Sequence, residues 1–157
     1  MLRRDFVRGT AAFLGLSASA KAVSAAEGVF EITRSEAEWK AMLTAQEYRV
    51  MREEGTERAF TSPLNDEKRA GMFHCNGCDL ALYASEHKFD SGTGWPSFWK
   101  AQSNAIGTRS DRSFFMVRTE CHCSRCGSHL GHIFDDGPQP TGKRHCINGV
   151  SLSFRAA

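Results

Sequence analysis

The sequence predicts a mainly β protein: two small antiparallel sheets with short N-terminal helices, stapled by a four-cysteine metal site. Three observations carry this. Two capping-box patterns lie near the start, short apolar stretches alternate with Gly, Asp, Asn and Ser clusters beyond Pro63, and two Cys-x-x-Cys pairs are separated by 44 residues. A chain of 157 residues with 41% hydrophobic content can bury one core, and no internal repeat or low-complexity stretch divides it.

Residues 1–26 read as an export signal peptide. Arg3 and Arg4 precede Phe6, a weakly apolar run spans Thr10 to Ala20, and Val23-Ser24-Ala25 supplies a small-residue cleavage site. The adjacent arginines suggest the twin-arginine route. The alternative is an uncleaved anchor, but the run is broken by Gly15 and two serines and is far shorter than the ~20 apolar residues a span needs. The expectation is therefore a mature domain over 27–157, periplasmic or otherwise exported, with no stable membrane association. Export in the folded state would let metal be loaded and thiols kept reduced before the chain meets an oxidising compartment. The leader carries Arg3, Arg4, Arg8 and Lys21 against Asp5, so removing it takes the formal charge from +2 to −1. Such a charge argues against a polyanion binder, and no nucleic-acid partner is expected.

Ser35-x-x-Glu38 and Thr44-x-x-Glu47 can each cap a helix, the hydroxyl accepting from an early amide while the carboxylate reaches back. The second helix is expected to run through Tyr48, Val50 and Met51 and to stop at Gly55 as its left-handed residue. Strands are expected around Leu80–Tyr83, Ser113–Arg118, His129–Phe134 and Val150–Phe154. A strand over Lys143–Asn148 would put Arg144, Cys146 and Asn148 on one face. His129 and His132, three apart, do not fit one strand face, so Gly131 is expected to mark a bulge that lets both converge.

Cys75, Cys78, Cys123 and Cys126 have the spacing of two zinc knuckles, each a tight turn presenting two thiolates. One structural zinc per chain is the expectation, because four thiolates leave no open position for substrate. His74 and His122 flank ligand positions and are alternative donors. Two disulfides would be strained and redox-active at this spacing, and a thioredoxin-like motif lacks its βαβ surroundings. Cys121 lies beside the second pair, which leaves Cys146 as the thiol with no structural employment. A working thiol nucleophile needs positive or hydrogen-bonding neighbours, and Arg144, His129, His132 and Asn148 are candidates. Trp95, Phe98 and Trp99, after a Gly-rich turn, are either core or the wall of a shallow apolar pocket.

In combination, Ser91-Gly-Thr-Gly-Trp-Pro-Ser-Phe98, the two knuckles, His129-Leu-Gly-His-Ile-Phe-Asp-Asp-Gly-Pro138 and Arg144-His-Cys-Ile-Asn-Gly149 closely resemble the B-type methionine sulfoxide reductases. The resemblance covers about residues 31–157 and extends to Glu47-Tyr-Arg-Val, Gly55-Thr-Glu-Arg and Phe60-Thr-Ser-Pro-Leu-Asn65. It implies a fold of two antiparallel sheets with N-terminal helices, and thiol-dependent reduction of the R epimer of methionine sulfoxide in oxidised proteins. It also implies roles: Cys146 as nucleophile, His129 and His132 as imidazoles that orient and protonate the sulfoxide oxygen, and Asn148 and Arg144 around them. Asp136 would support the histidines, and Trp95, with Phe98, would receive the substrate. One departure stands out. Thr93 occupies the place where many members carry a resolving cysteine, so an external thiol reductant, a thioredoxin-like protein or a small thiol, is expected, with Cys121, the only other thiol outside the knuckles, as the alternative resolving residue. His145 stands where an aromatic residue is often found. The competing reading is a zinc-ribbon binding module without catalysis, which leaves the His129, His132 and Cys146 set without a purpose.

Overall fold

A computed structural model describes residues 29–157; the expected signal peptide lies outside the described residues. Both capping boxes form. Ser35 opens α1 (Glu36–Met42) and Thr44 opens α2 (Ala45–Arg52), each with its Glu side chain returned to the cap backbone. At the end of α2 it is Glu54, not Gly55, that takes the left-handed conformation, at φ 56. Gly55 is needed for a different reason: its N–H donates to the Arg49 carbonyl at 3.0 Å, and a Cβ there would lie 2.8 Å from that oxygen.

Nine strands follow: β1 (Gly71–Cys75), β2 (Ala81–Ala84), β3 (Lys88–Phe89), β4 (Ser97–Phe98), β5 (Ile106–Asp111), β6 (Arg118–Cys123), β7 (His129–Phe134), β8 (Arg144–Ile147) and β9 (Leu152–Ala156). They form two antiparallel sheets, ordered β2-β1-β9 and β3-β4-β8-β7-β6-β5. The expected strand over Ser113–Arg118 is corrected: Ser113–Phe115 is a 3₁₀ turn and β6 begins only at Arg118. Asp111 accepts from the Ser113 N–H at 2.8 Å and turns the chain, so Phe115, Met116 and Val117 stand exposed at a hairpin tip instead of pairing.

The core lies between the sheets. Phe73 of β1 and Tyr83 of β2 meet Phe98 of β4 at 5.0 and 4.3 Å between ring centres, and Phe154 of β9 closes on Phe73 at 4.9 Å. Trp39 of α1 and Val50 and Met51 of α2 are buried over the metal-binding end of this core. Phe98, expected at the substrate, is therefore corrected to a core residue. It is fully buried, and strand alternation requires this, because its neighbour Ser97 pairs with Cys146 and takes the opposite face.

His145 also faces this core, its Nδ1 3.2 Å from the Tyr83 hydroxyl. Burial, helped by the charge of Lys143, pushes its pKa down to about 4. The unfolded chain therefore takes up the proton first, and stability is lost as pH falls from about 6.5 towards about 4. His145→Phe should melt lower at pH 7, because the Tyr83 hydroxyl loses a partner. It should nevertheless lose less melting temperature between pH 7 and pH 5 than the native chain; equal losses in thermal scans would clear His145.

Candidate active site

Cross-strand register assembles the site. Directly opposed residues share a face of the sheet, and one such row runs Arg109–Glu120–His132–Cys146–Ser97 across β5, β6, β7, β8 and β4. Cys121, Gly131 and Ile147 form the next row and face the core. The expected bulge is present: pairing shifts between Cys121 and His122, leaving Leu130 unpaired between His129 and Gly131. Gly131 is required because a Cβ would sit 2.0 Å from the Cys146 carbonyl oxygen, so no larger residue lets β7 lie so close beside the thiol.

Cys146 and His132 open onto a cleft of about 200 Å³ that is also lined by Trp95, Phe134, Asn148, Arg118, Thr56 and Gly131. His129 is not among the lining residues. It is 2% exposed, its ring centre 5.4 Å from that of His132, and its Nε2 is buried without a partner. A larger hollow of about 420 Å³ lies beyond Glu57, but it holds neither thiol nor imidazole.

Asp136, expected to support the histidines, is corrected. It is exposed and clasps Arg144 through two hydrogen bonds of 2.8 and 2.9 Å, while that guanidinium lies 4.4 Å from the Phe134 ring centre. The carboxylates behind the imidazoles are Glu120, 2.8 Å from His129 Nδ1, and Asp111, 2.7 Å from His132 Nε2. Burial opposes ionisation of Glu120, yet hydrogen bonds from His122 and His129 and the charges of His129 and Arg109 bring its pKa down to about 2. Asp111 is held well below the usual carboxylate range, chiefly by the backbone N–H of Ser113, with His132 and Arg118 adding to it. Burial lowers the pKa of His132, opposed by its hydrogen bond to Asp111. Burial raises the Cys146 thiol, opposed by the Thr93 hydroxyl and the Arg144 charge.

Glu57 gathers the remaining cleft residues. Its backbone N–H donates to Asn148 Oδ1 at 3.0 Å and its carbonyl accepts from the Trp95 indole at 3.2 Å. Its buried carboxylate accepts the N–H groups of Gly149 and Val150. Asn148 is fixed at its other end by the Leu130 carbonyl, 3.0 Å from Nδ2. Glu57 lies in the Gly55-Thr-Glu-Arg stretch, and Asp111-x-Ser113 has the form of an Asx turn. Neither pattern by itself reveals that Glu57 anchors Asn148 and Trp95 or that Asp111 meets His132.

The four cysteines Cys75, Cys78, Cys123 and Cys126 place their sulfurs within 4.8 Å of one another, the one such grouping of potential ligands among the described residues. The pairs Cys75–Cys126 and Cys78–Cys123 stand at 3.7 and 3.5 Å. A tetrahedral ion with metal–sulfur bonds of about 2.3 Å separates its ligands by roughly 3.8 Å, so the cluster fits a metal ion. His74 and His122 do not join it: His74 Nδ1 meets the Asp79 carbonyl and His122 Nδ1 meets Glu120. One knuckle belongs to the β1–β2 hairpin and the other to β6–β7, so the cluster joins the two sheets.

Among the cleft's side chains only the Cys146 sulfur is fitted for two-electron redox chemistry, and the fold and site together define a thiol-based oxidoreductase. Residues 43–156 match the SelR domain family. The peptide methionine sulfoxide reductase MsrB of Methanosarcina barkeri is 52% identical over 125 residues, 79% of this chain and 88% of that protein. The proteins of the same name from Thiobacillus denitrificans and Pseudomonas putida are 53% and 52% identical, covering 77% and 80% of this chain and 92% and 95% of theirs. The chain belongs to the SelR family, the B-type methionine sulfoxide reductases, and is an enzyme of methionine sulfoxide reduction.

Glu57→Gln tests the anchoring of the cleft. The new amide NH₂ would face a backbone N–H, and an unsatisfied buried group costs about 1–3 kcal/mol. The expected result is a fall in kcat/KM of about tenfold or more with peptide sulfoxide, accompanied by a lower melting temperature. Unchanged kinetics would show that Asn148 and Trp95 hold their places without the carboxylate.

Proposed function

We propose that the protein reduces the R epimer of methionine sulfoxide in oxidised proteins, through a sulfenic acid on Cys146 that an external thiol then reduces. The observation that carries this reading is the register of β7 and β8, which sets Cys146 directly opposite His132 on the cleft face. Trp95 and Phe134 form apolar walls suited to the S-methyl group. The Cys146 thiolate attacks the sulfoxide sulfur. The oxygen, protonated by imidazolium or by water held at His132, is transferred to the cysteine: thiolate, sulfoxide and one proton give thioether and Cys146 sulfenic acid. Two external thiols then return Cys146 to the thiol, releasing water and a disulfide.

His129 acts behind His132, oriented by Glu120, and Arg144, steadied by Asp136, favours the thiolate. External reduction is supported by two features. Thr93 occupies the loop position of a resolving cysteine, and Cys121 lies on the opposite face of the sheet from Cys146, fully buried, with burial and the Glu120 charge raising its thiol pKa well above the usual range.

The four-cysteine cluster suits zinc, held by Cys75, Cys78, Cys123 and Cys126; four thiolates leave no open position, so the metal's work is structural. Substrates and reductant are expected in the periplasm or another exported location. The deciding assay offers the R and S epimers of a methionine sulfoxide peptide separately, with dithiothreitol as reductant. Loss of the R epimer alone is expected. Consumption of the S epimer at a comparable rate, or of neither, would overturn the reading.

A further inference from the structure

A line of hydroxyls ends at the nucleophile. Thr93 Oγ1 lies 3.9 Å from Cys146 Sγ, within reach for a hydrogen bond to sulfur, and 2.8 Å from Ser91 Oγ. Ser91 Oγ is in turn 2.7 Å from Ser97 Oγ, and the Ser97 hydroxyl reaches the Trp95 carbonyl at 3.1 Å. Ser97 is fully buried and pairs with Cys146 across β4 and β8, so the far end of the line is anchored by the strand that carries the thiol's own neighbour.

We propose that Thr93 is a catalytic residue: its hydroxyl holds the Cys146 sulfur throughout the cycle, at the end of a three-hydroxyl chain that reverses direction when the thiol loses its proton. The proposal rests on Cys146 being the nucleophile. Each hydroxyl has one hydrogen to give, and the count fixes two arrangements. With the thiol protonated, S–H donates to Thr93, Thr93 to Ser91, Ser91 to Ser97, and Ser97 to the Trp95 carbonyl. Once the proton has gone to solvent or to the sulfoxide oxygen, Ser97 turns to Ser91, Ser91 to Thr93, and Thr93 donates to the thiolate. The reversal gives up one neutral bond, to the Trp95 carbonyl, and converts the contact at sulfur into a charge-assisted one, which is about twice as strong. The thiolate is favoured without a neighbouring base. The loop that often carries a second thiol in the resembled family thus carries a hydroxyl that acts on the first.

Alkylation by iodoacetamide between pH 5 and pH 10, followed by mass spectrometry of the Cys146 peptide, reads this directly. Thr93→Val keeps shape and removes the hydroxyl, and the apparent thiol pKa should rise by about one unit, a roughly tenfold loss of thiolate at a given pH below it. Thr93→Ser should restore the native profile. Ser91→Ala, which leaves Thr93 in place, should move the profile in the same direction by less, and it keeps the test open should valine unsettle the loop. An unshifted profile in Thr93→Val, or an equal shift in Thr93→Ser, would overturn the role of the hydroxyl; no shift in Ser91→Ala would overturn the chain. Alkylation is indifferent to sulfoxide, so a shifted profile in a protein that spared both epimers would refute the proposed function and leave standing the hold of the hydroxyl chain on the Cys146 sulfur.

Discussion

Cys146→Ser is expected to abolish sulfoxide reduction while leaving the fold and metal content unchanged. The side chain sits on the cleft face of β8, partly exposed, and its sulfur is within hydrogen-bond reach of the Thr93 hydroxyl, so replacing sulfur by oxygen disturbs no core contact. The chemical change is severe, because a hydroxyl has almost no anionic form at neutral pH and is a poor nucleophile at sulfur. Removing the nucleophile of a serine protease lowers the rate by about 10⁶-fold, and a loss of at least about 10⁴-fold is expected here, measured as turnover of the R epimer. The reactive alkylation site on the cleft should vanish with it. Residual turnover above one part in about 10³ would mean that another group carries the attack.

Metal removal is the second large effect. The two knuckles bring the β1–β2 hairpin to the β6–β7 hairpin, and 44 residues separate Cys78 from Cys123, so an ion held there would close a long loop across two sheets. Structural zinc contributes about 10–16 kcal/mol in small peptides, comparable to the whole stability of about 5–15 kcal/mol typical of a domain. Stripping the ion with a chelator, or replacing Cys78 or Cys123 by serine, should therefore abolish the cooperative melt at 25 °C and expose the Trp39 environment, visible as a red-shifted fluorescence. A metal-free protein that melts like the native one would assign the cluster a different role.

The parts legible in the sequence are those governed by local rules. Both capping boxes, the alternation of β7 and β8, the bulge around Gly131 and the metal spacing follow from neighbouring residues, and each is present. Failures came where tertiary placement decides. Phe98 follows a Gly-rich aromatic stretch that fits a pocket wall or a core equally well, and only the pairing of Ser97 with Cys146 selects the core. Asp136 is near the histidines in sequence, but a nearby Arg144 offers it a bidentate partner. Asp111 and Glu120 reach His132 and His129 through cross-strand register, which is invisible before the strands are paired. Apolar residues at Phe115–Val117 suggested a strand, whereas the Asx turn at Asp111 decided the backbone.

The sheet also works as a wall between two kinds of sulfur. Cys146 opens on one side; Cys121 and Cys123 are buried on the other, with the partners of Cys123 gathered around it. Under the proposed mechanism Cys146 would carry, each cycle, a sulfenic acid, a species that condenses readily with any thiol it can touch. One layer of hydrogen-bonded backbone lies between these sulfurs. In the proposed cycle the oxidised sulfur would thus face away from the cysteine cluster that joins the two sheets, and repair could proceed without the repairer becoming its own casualty.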